Sequence, residues 1–164
     1  MNTVEQKQET CLSLNDSDQY IIDYAINILS NAFKKESLMA TSADKVKTFC
    51  RLNLGSLEHE VFSVLFLDSS HQLIKFKKMF NGTINSAAVY IREIAKVALQ
   101  LNAESLILCH NHPSGDVTPS DADIRITQEI QRAVAVFDIR VLDHIIVSSV
   151  NSHSFVEHEM MERG

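Results

Sequence analysis

Apolar residues fall at helical spacing twice near the start of the chain. Ile21, Tyr24, Ala25, Ile28, Leu29 and Ala32 recur at intervals of three and four. They predict a helix from Ser17 to about Lys35, with Asp16 or Ser17 as its cap. Val46, Phe49 and Cys50 predict a second helix from about Ala43 to Leu52, capped by Ser42 and broken by Leu54-Gly55-Ser56. The period then changes. Glu60 opens the apolar run Val61-Phe62-Ser63-Val64-Leu65-Phe66-Leu67, which has the length and composition of a buried strand. Asp68-Ser69-Ser70-His71 predicts a turn, and Gln72 to Phe80 a returning strand that ends at Asn81-Gly82. Asn85 or Ser86 is expected to cap a helix through about Leu101, with Val89, Ile94, Val97, Ala98 and Leu101 apolar. Glu104 to Cys109 is a short buried strand. A helix from Pro119 to about Phe137 is expected to bury Ile124, Ile126, Ile130, Ala133, Val134 and Phe137. Arg140 to Ser149 adds a strand, and Ser154 to Glu159 an edge strand. Hairpins mixed with helical crossovers predict an α/β fold, a mixed β-sheet flanked by helices.

At 164 residues the chain suits one domain with a helical extension. Hydrophobic residues at 45% and charged residues at 22% place it among ordinary soluble globular proteins. A formal net charge of −6 speaks against a general nucleic-acid binder, although Lys75-Phe76-Lys77-Lys78 is a local basic patch. The cysteines Cys11, Cys50 and Cys109 make no disulfide framework and fit a reducing compartment. Residues 1–16 are polar and carry no secretory pattern, and no apolar run reaches the ~18 residues of a membrane span. A cytoplasmic protein without a membrane anchor is expected, its first 16 residues disordered or flexible.

The chemistry concentrates between the third predicted strand and the helix after it, from His110 to Asp123. His110 and His112 are two apart, so at the end of a strand both imidazoles point to one side. Cys109 then points the other way, into the core. Thr118 is expected as N-cap, Pro119 as N1 and Asp121 as the acidic N3 partner. Ser120 and Asp123, three apart, then share one face of the first helical turns. Two histidines and Asp123 would leave a tetrahedral zinc one open position for water, the arrangement of catalytic sites. Ser120 is placed to donate to an oxyanion, and a carboxylate from elsewhere must act as base. Glu60 at the mouth of its strand suits that role, though spacing alone does not separate it from Glu58 or Glu104. Histidines near turns are commonly surface or capping residues, and Ser-x-x-Asp is commonly only a cap; it is the joint pattern that points to a metal.

That pattern is familiar. Glutamate, then His-x-His, seven residues, then Ser-x-x-Asp resembles the JAMM (MPN-type) zinc metalloproteases. His110-Asn111-His112-Pro113-Ser114-Gly115-Asp116, Leu142-Asp143-His144-Ile145-Ile146-Val147, Asn81-Gly82-Thr83 and Ala88-Val89-Tyr90-Ile91-Arg92-Glu93 are similar to the RadC branch in particular. The resemblance implies a JAB/MPN (cytidine-deaminase-like) architecture over residues 58–164; the two helices before it, within 17–55, read from their own pattern as a helical extension packed on that core. It implies one zinc per chain held by His110, His112 and Asp123, with Glu60 as general acid/base and Ser120 serving the oxyanion. It implies hydrolysis of amide, peptide or isopeptide bonds in a protein or peptide substrate. Longer RadC-like proteins carry a helix-hairpin-helix segment that is not recognisable here, and Ile91 stands where the family often has proline. A DNA-directed enzyme and a non-catalytic interaction module are the competing functions. A histidine on an apolar strand is commonly a hydrogen-bonded core residue, so His144 is expected to be structural or to orient a ligand.

Overall fold

In the computed structural model, residues 15–35, 43–82 and 89–161 are described. The predicted caps Ser42, Asn85 and Ser86, the segment 1–14 and Cys11 lie outside them. Helix α1 (Asp16–Phe33) starts one residue earlier than its pattern implied, because Asn15 caps it. The Asn15 side chain accepts from the Asp18 amide while Asp18 reaches back to the Asn15 amide, a reciprocal capping box. Helix α2 (Ala43–Leu54) runs two residues past its expected end. It stops where Gly55 meets the sheet: a Cβ there would sit 2.7 Å from the carbonyl oxygens of Arg51 and Ser148.

Strands β1 (Val61–Leu67) and β2 (Leu73–Asn81) form an antiparallel hairpin. Helix α3 (Ile91–Gln100) leads to β3 (Ser105–Asn111), which pairs antiparallel with β1. Helix α4 (Asp121–Ala135) crosses over to β4 (Arg140–Val147), parallel to β3, and β5 (Ser152–Ser154) closes the sheet antiparallel to β4. The order is β2-β1-β3-β4-β5, a mixed five-stranded sheet. Strands β1 and β3 are buried along their whole length, as continuous apolar runs require. On one face α1 and α2 bring Phe33, Phe49, Cys50 and Leu54 against Val61, Leu65, Cys109, Ile145 and Val147. On the other, α3 and α4 bring Ile94, Ala98, Ile126, Ile130 and Val134 against Phe62, Val64, Phe66, Leu106 and Leu108. Cys109 is inward, as alternation required. Among the described residues no helix is long and apolar enough to cross a membrane.

Four expectations are corrected. Val89 and Tyr90 are not helical; α3 starts at Ile91 with Tyr90 extended before it (φ −79°, ψ 95°). Helix α4 starts at Asp121, capped by Ser120 rather than Thr118, and Asp123 rather than Asp121 is its N3 residue. The Thr118 amide is already taken by the Asp116 carboxylate at 2.9 Å. Phe137 is exposed, because α4 ends at Ala135 and Asp138 turns the chain with φ 59°. The last strand covers 152–154 and not 154–159, where the chain turns instead.

Ile91 occupies N1, whose amide has no partner within the helix, so proline loses nothing there. It also packs partly buried against the α3/α4 core. Ile91→Pro trades that contact against an unfolded-state gain of about 0.4–1 kcal/mol. The melting temperature is expected to stay within about 4 °C of wild type in a thermal scan.

A bulge on β4 sets the site. Leu106 pairs with Val141 but Ile107 pairs with Asp143, so one residue is inserted. Val141 faces the α4 side and Leu142 the opposite side, and Ile145 also faces that opposite side. Strict alternation would send His144 away from α4; the inserted residue turns it toward α4.

Candidate metal centre

His110 lies fully buried one residue before the end of β3, and His112 follows half-buried just beyond the strand. Alternation carries both rings to the α4 face. There the first turn of α4 meets them. Ser120 caps the helix, its Oγ accepting from the Asp123 amide at 3.2 Å, and the Asp123 carboxylate folds back to accept from the Ser120 amide at 2.7 Å. The Ser120 hydroxyl donates to the same Oδ2 at 2.7 Å. The cap thereby aims Asp123 at the histidines: Oδ1 lies 3.2 Å from His110 Nε2, and Oδ2 lies 3.6 Å from His112 Nε2. The two Nε2 atoms are 2.9 Å apart. Glu60, just before β1, completes the group, and one ligand atom from each of the four residues lies within 4.8 Å of the others.

The hydrogen bonds around the rings decide what faces inward. His112 Nδ1 lies 2.7 Å from the Asp116 carbonyl, which only accepts, so the neutral ring carries its proton on Nδ1 and offers Nε2 as a lone pair. His110 Nδ1 is engaged by His144 at 2.8 Å. Two imidazole nitrogens and a carboxylate therefore converge within hydrogen-bond reach of one another, an arrangement that a proton or a cation between them relieves. Ligands of a tetrahedral zinc stand roughly 3.3–3.4 Å apart for bonds of about 2.0–2.1 Å. The 2.9 Å between the two Nε2 atoms, and the 3.2 and 3.6 Å from them to the two different oxygens of Asp123, lie near that edge, so the donor set fits a metal ion. Electrostatics agree. Burial works to raise the Asp123 pKa, but its bonds to His110, His112 and Ser120 outweigh burial and hold it well below the usual carboxylate range. The bond to Asp123 raises the His112 pKa in spite of burial. A proton and a metal ion answer the same demand here.

A family model described as RadC-like JAB domain matches residues 40–160. The chain belongs to the RadC-like JAB family. A UPF0758 protein of Vibrio cholerae is 45% identical over 137 residues, covering 84% of this chain and 86% of the relative. The UPF0758 protein YkfG of Escherichia coli is 40% identical over 148 residues, 90% of this chain and 94% of the relative. A UPF0758 protein of Ralstonia nicotianae is 52% identical over 120 residues, 73% of this chain but 54% of the relative, so the chain spans about half the length of such longer relatives.

Two residues of this RadC-like domain that sequence reasoning passed over support the group. Asn111, between the histidines, faces the other way and is buried. Its Oδ1 accepts from the Val61 amide at 2.8 Å, and its Nδ2 donates to the carbonyls of His59 at 3.0 Å and Leu57 at 3.3 Å. One side chain thus grips the backbone on both sides of Glu60. A polar residue at a buried strand position must find backbone partners, and that signal was available in the sequence. Thr127 lies four residues after Asp123 and therefore on the same helix face. Its hydroxyl is 2.6 Å from the Asp123 carbonyl and 2.6 Å from His144 Nδ1. His144 is fully buried with both ring nitrogens engaged, and burial, joined by the nearby imidazoles, holds its pKa well below the ordinary value. Phe62 stacks on His110 with centroids 6.0 Å apart, closing the site from β1.

Proposed function

We propose that this RadC-like domain is a zinc-dependent hydrolase of amide, peptide or isopeptide bonds, acting on a protein or peptide substrate. The observation that carries the reading is the convergence of His110, His112, Asp123 and Glu60. His110, His112 and Asp123 would hold one zinc. Bound there, zinc supplies a Lewis acid and makes a water molecule nucleophilic near neutral pH. The chain's own groups do the rest. Glu60 takes the proton of the attacking water and returns it to the leaving nitrogen. Ser120, which donates to Asp123 Oδ2 in this structure, turns its proton toward the developing oxyanion. The net charge of −6 gives a DNA-directed alternative no support.

Elemental analysis of protein purified without a histidine tag is the direct test. About one zinc per chain is expected, absent from a His110→Ala, His112→Ala double variant, and a peptidase substrate screen follows. No zinc in the wild type after incubation with the metal would sink the reading in favour of an interaction module. The affinity should also fall with pH. The His112 pKa is raised, so protons compete for its nitrogen at a higher pH than for an ordinary imidazole. Zinc affinity is full above that pKa and declines as pH drops through it, which a chelator competition series across pH measures.

A further inference from the structure

We infer that Thr127 and His144 form a relay that fixes which nitrogen of His110 carries the proton, and so set metal affinity without touching the metal. The inference rests on the metal-site reading above. The relay is read from an end that has no choice. The Asp123 carbonyl only accepts, so the Thr127 hydroxyl, 2.6 Å away, donates to it. Toward His144 Nδ1, also at 2.6 Å, the hydroxyl can then only accept, which puts the His144 proton on Nδ1. His144 Nε2 is left as a lone pair and accepts from His110 Nδ1 at 2.8 Å. His110 Nε2 is therefore bare, and it is the nitrogen that faces Asp123 and His112.

The opposite arrangement uses the same atoms. Thr127 would donate to His144 Nδ1, His144 Nε2–H to His110 Nδ1, and His110 Nε2–H to Asp123 Oδ1. Each ring moves one proton from Nδ1 to Nε2, with none gained or lost. In that state the ligand nitrogen of His110 is blocked. The Asp123 carbonyl selects the open state by holding the Thr127 proton. Asp123 thus acts at both ends, its carboxylate in the group and its carbonyl anchoring the relay. Every member is buried, so water cannot substitute for a missing partner. The β4 bulge that turns His144 toward α4 is what makes the relay possible.

Thr127→Val keeps the shape and removes the hydroxyl. The His144 Nδ1–H would then be a buried donor without an acceptor, and both rings are expected to invert. Zinc affinity, measured by chelator competition, should fall by about 10–100-fold. Thr127→Ser restores the hydroxyl and should return the affinity to the wild-type value. Long-range proton–nitrogen correlation spectra of the imidazoles supply a second readout on metal-free protein, above the pH range where imidazoles titrate. Wild type and Thr127→Ser should carry the His110 proton on Nδ1, and Thr127→Val on Nε2. A Thr127→Val protein with unchanged tautomers overturns the inference, whether or not its affinity falls, because Thr127 would then be only a packing residue. A wild type that binds no zinc would remove the proposed function, while the tautomer comparison would still decide the relay.

Discussion

Glu60→Gln is expected to leave about one zinc per chain in place and to lower the hydrolytic rate by about 10²- to 10⁴-fold. Glutamine keeps the length and a hydrogen-bonding oxygen of the side chain but cannot take a proton. The loss should fall on kcat with little change in KM, since substrate binding does not require the transfer. Glu60 is held from its backbone, not by its carboxylate alone. Its carbonyl accepts from the Gly82 amide at 2.8 Å, and Asn111 grips the residues on either side. The variant therefore has every reason to keep its fold and its geometry. Metal content and initial rates on a substrate found by the screen are the measurements. Full turnover by Glu60→Gln would show that another group is the base.

Asp123→Ala should weaken zinc by more than about 100-fold, beyond what loss of an outer hydrogen-bond partner costs. It should also change the metal-free protein, because Asp123 is at once in the candidate ligand group and the N3 partner of the α4 cap. Without the carboxylate the His112 pKa should fall, since the bond to Asp123 is the main influence raising it. A proton-resonance titration of the His112 ring reads this directly. Ser120→Ala separates the two roles. It removes the cap oxygen, at a cost of about 1 kcal/mol or about 2–4 °C in melting temperature, while the carboxylate remains. Zinc should stay bound in Ser120→Ala. If Ser120 serves the oxyanion, kcat should drop by about 10²- to 10³-fold with zinc retained. A variant with wild-type kcat would confine Ser120 to capping and to the support of Asp123. An Asp123→Ala protein that binds zinc as tightly as wild type would remove Asp123 from the ligand set.

The joint appearance of cap and candidate ligand in Ser120-x-x-Asp123 shows why a local reading went partly astray. The Ser-x-x-Asp spacing is a cap signature and a site signature at once, and its bare sequence form does not say that one aspartate answers to both. The expected cap at Thr118 gave way to Ser120, which makes the reciprocal box with Asp123, while the Asp116 carboxylate fills the place an N3 partner would take at the Thr118 amide. The early end of α4 and the exposure of Phe137 followed similarly from a chain reversal at Asp138, whose positive φ leaves no mark in an apolar pattern.

What the sequence determined by itself was whatever depends on neighbours along the chain. Periods near three and a half and continuous apolar runs identified the helices and strands, and alternation put His110 and His112 on one side with Cys109 on the other. These follow from backbone geometry that every residue shares. Tertiary structure decided whatever depends on register between distant segments. Glu60, Glu58 and Glu104 were equivalent by spacing, but pairing of Phe62 with His110 brings Glu60 into the group. The same antiparallel pairing sends Glu104 to the far end of the sheet beside Leu67. Asn111 reaches residues 57–61 across the same pairing. His144 joins the site only because one inserted residue on β4 reverses its face, and a one-residue shift in a strand inverts every side chain beyond it. Such register is settled by the packing of whole faces against α1–α2 and α3–α4, and no short stretch of the chain records it.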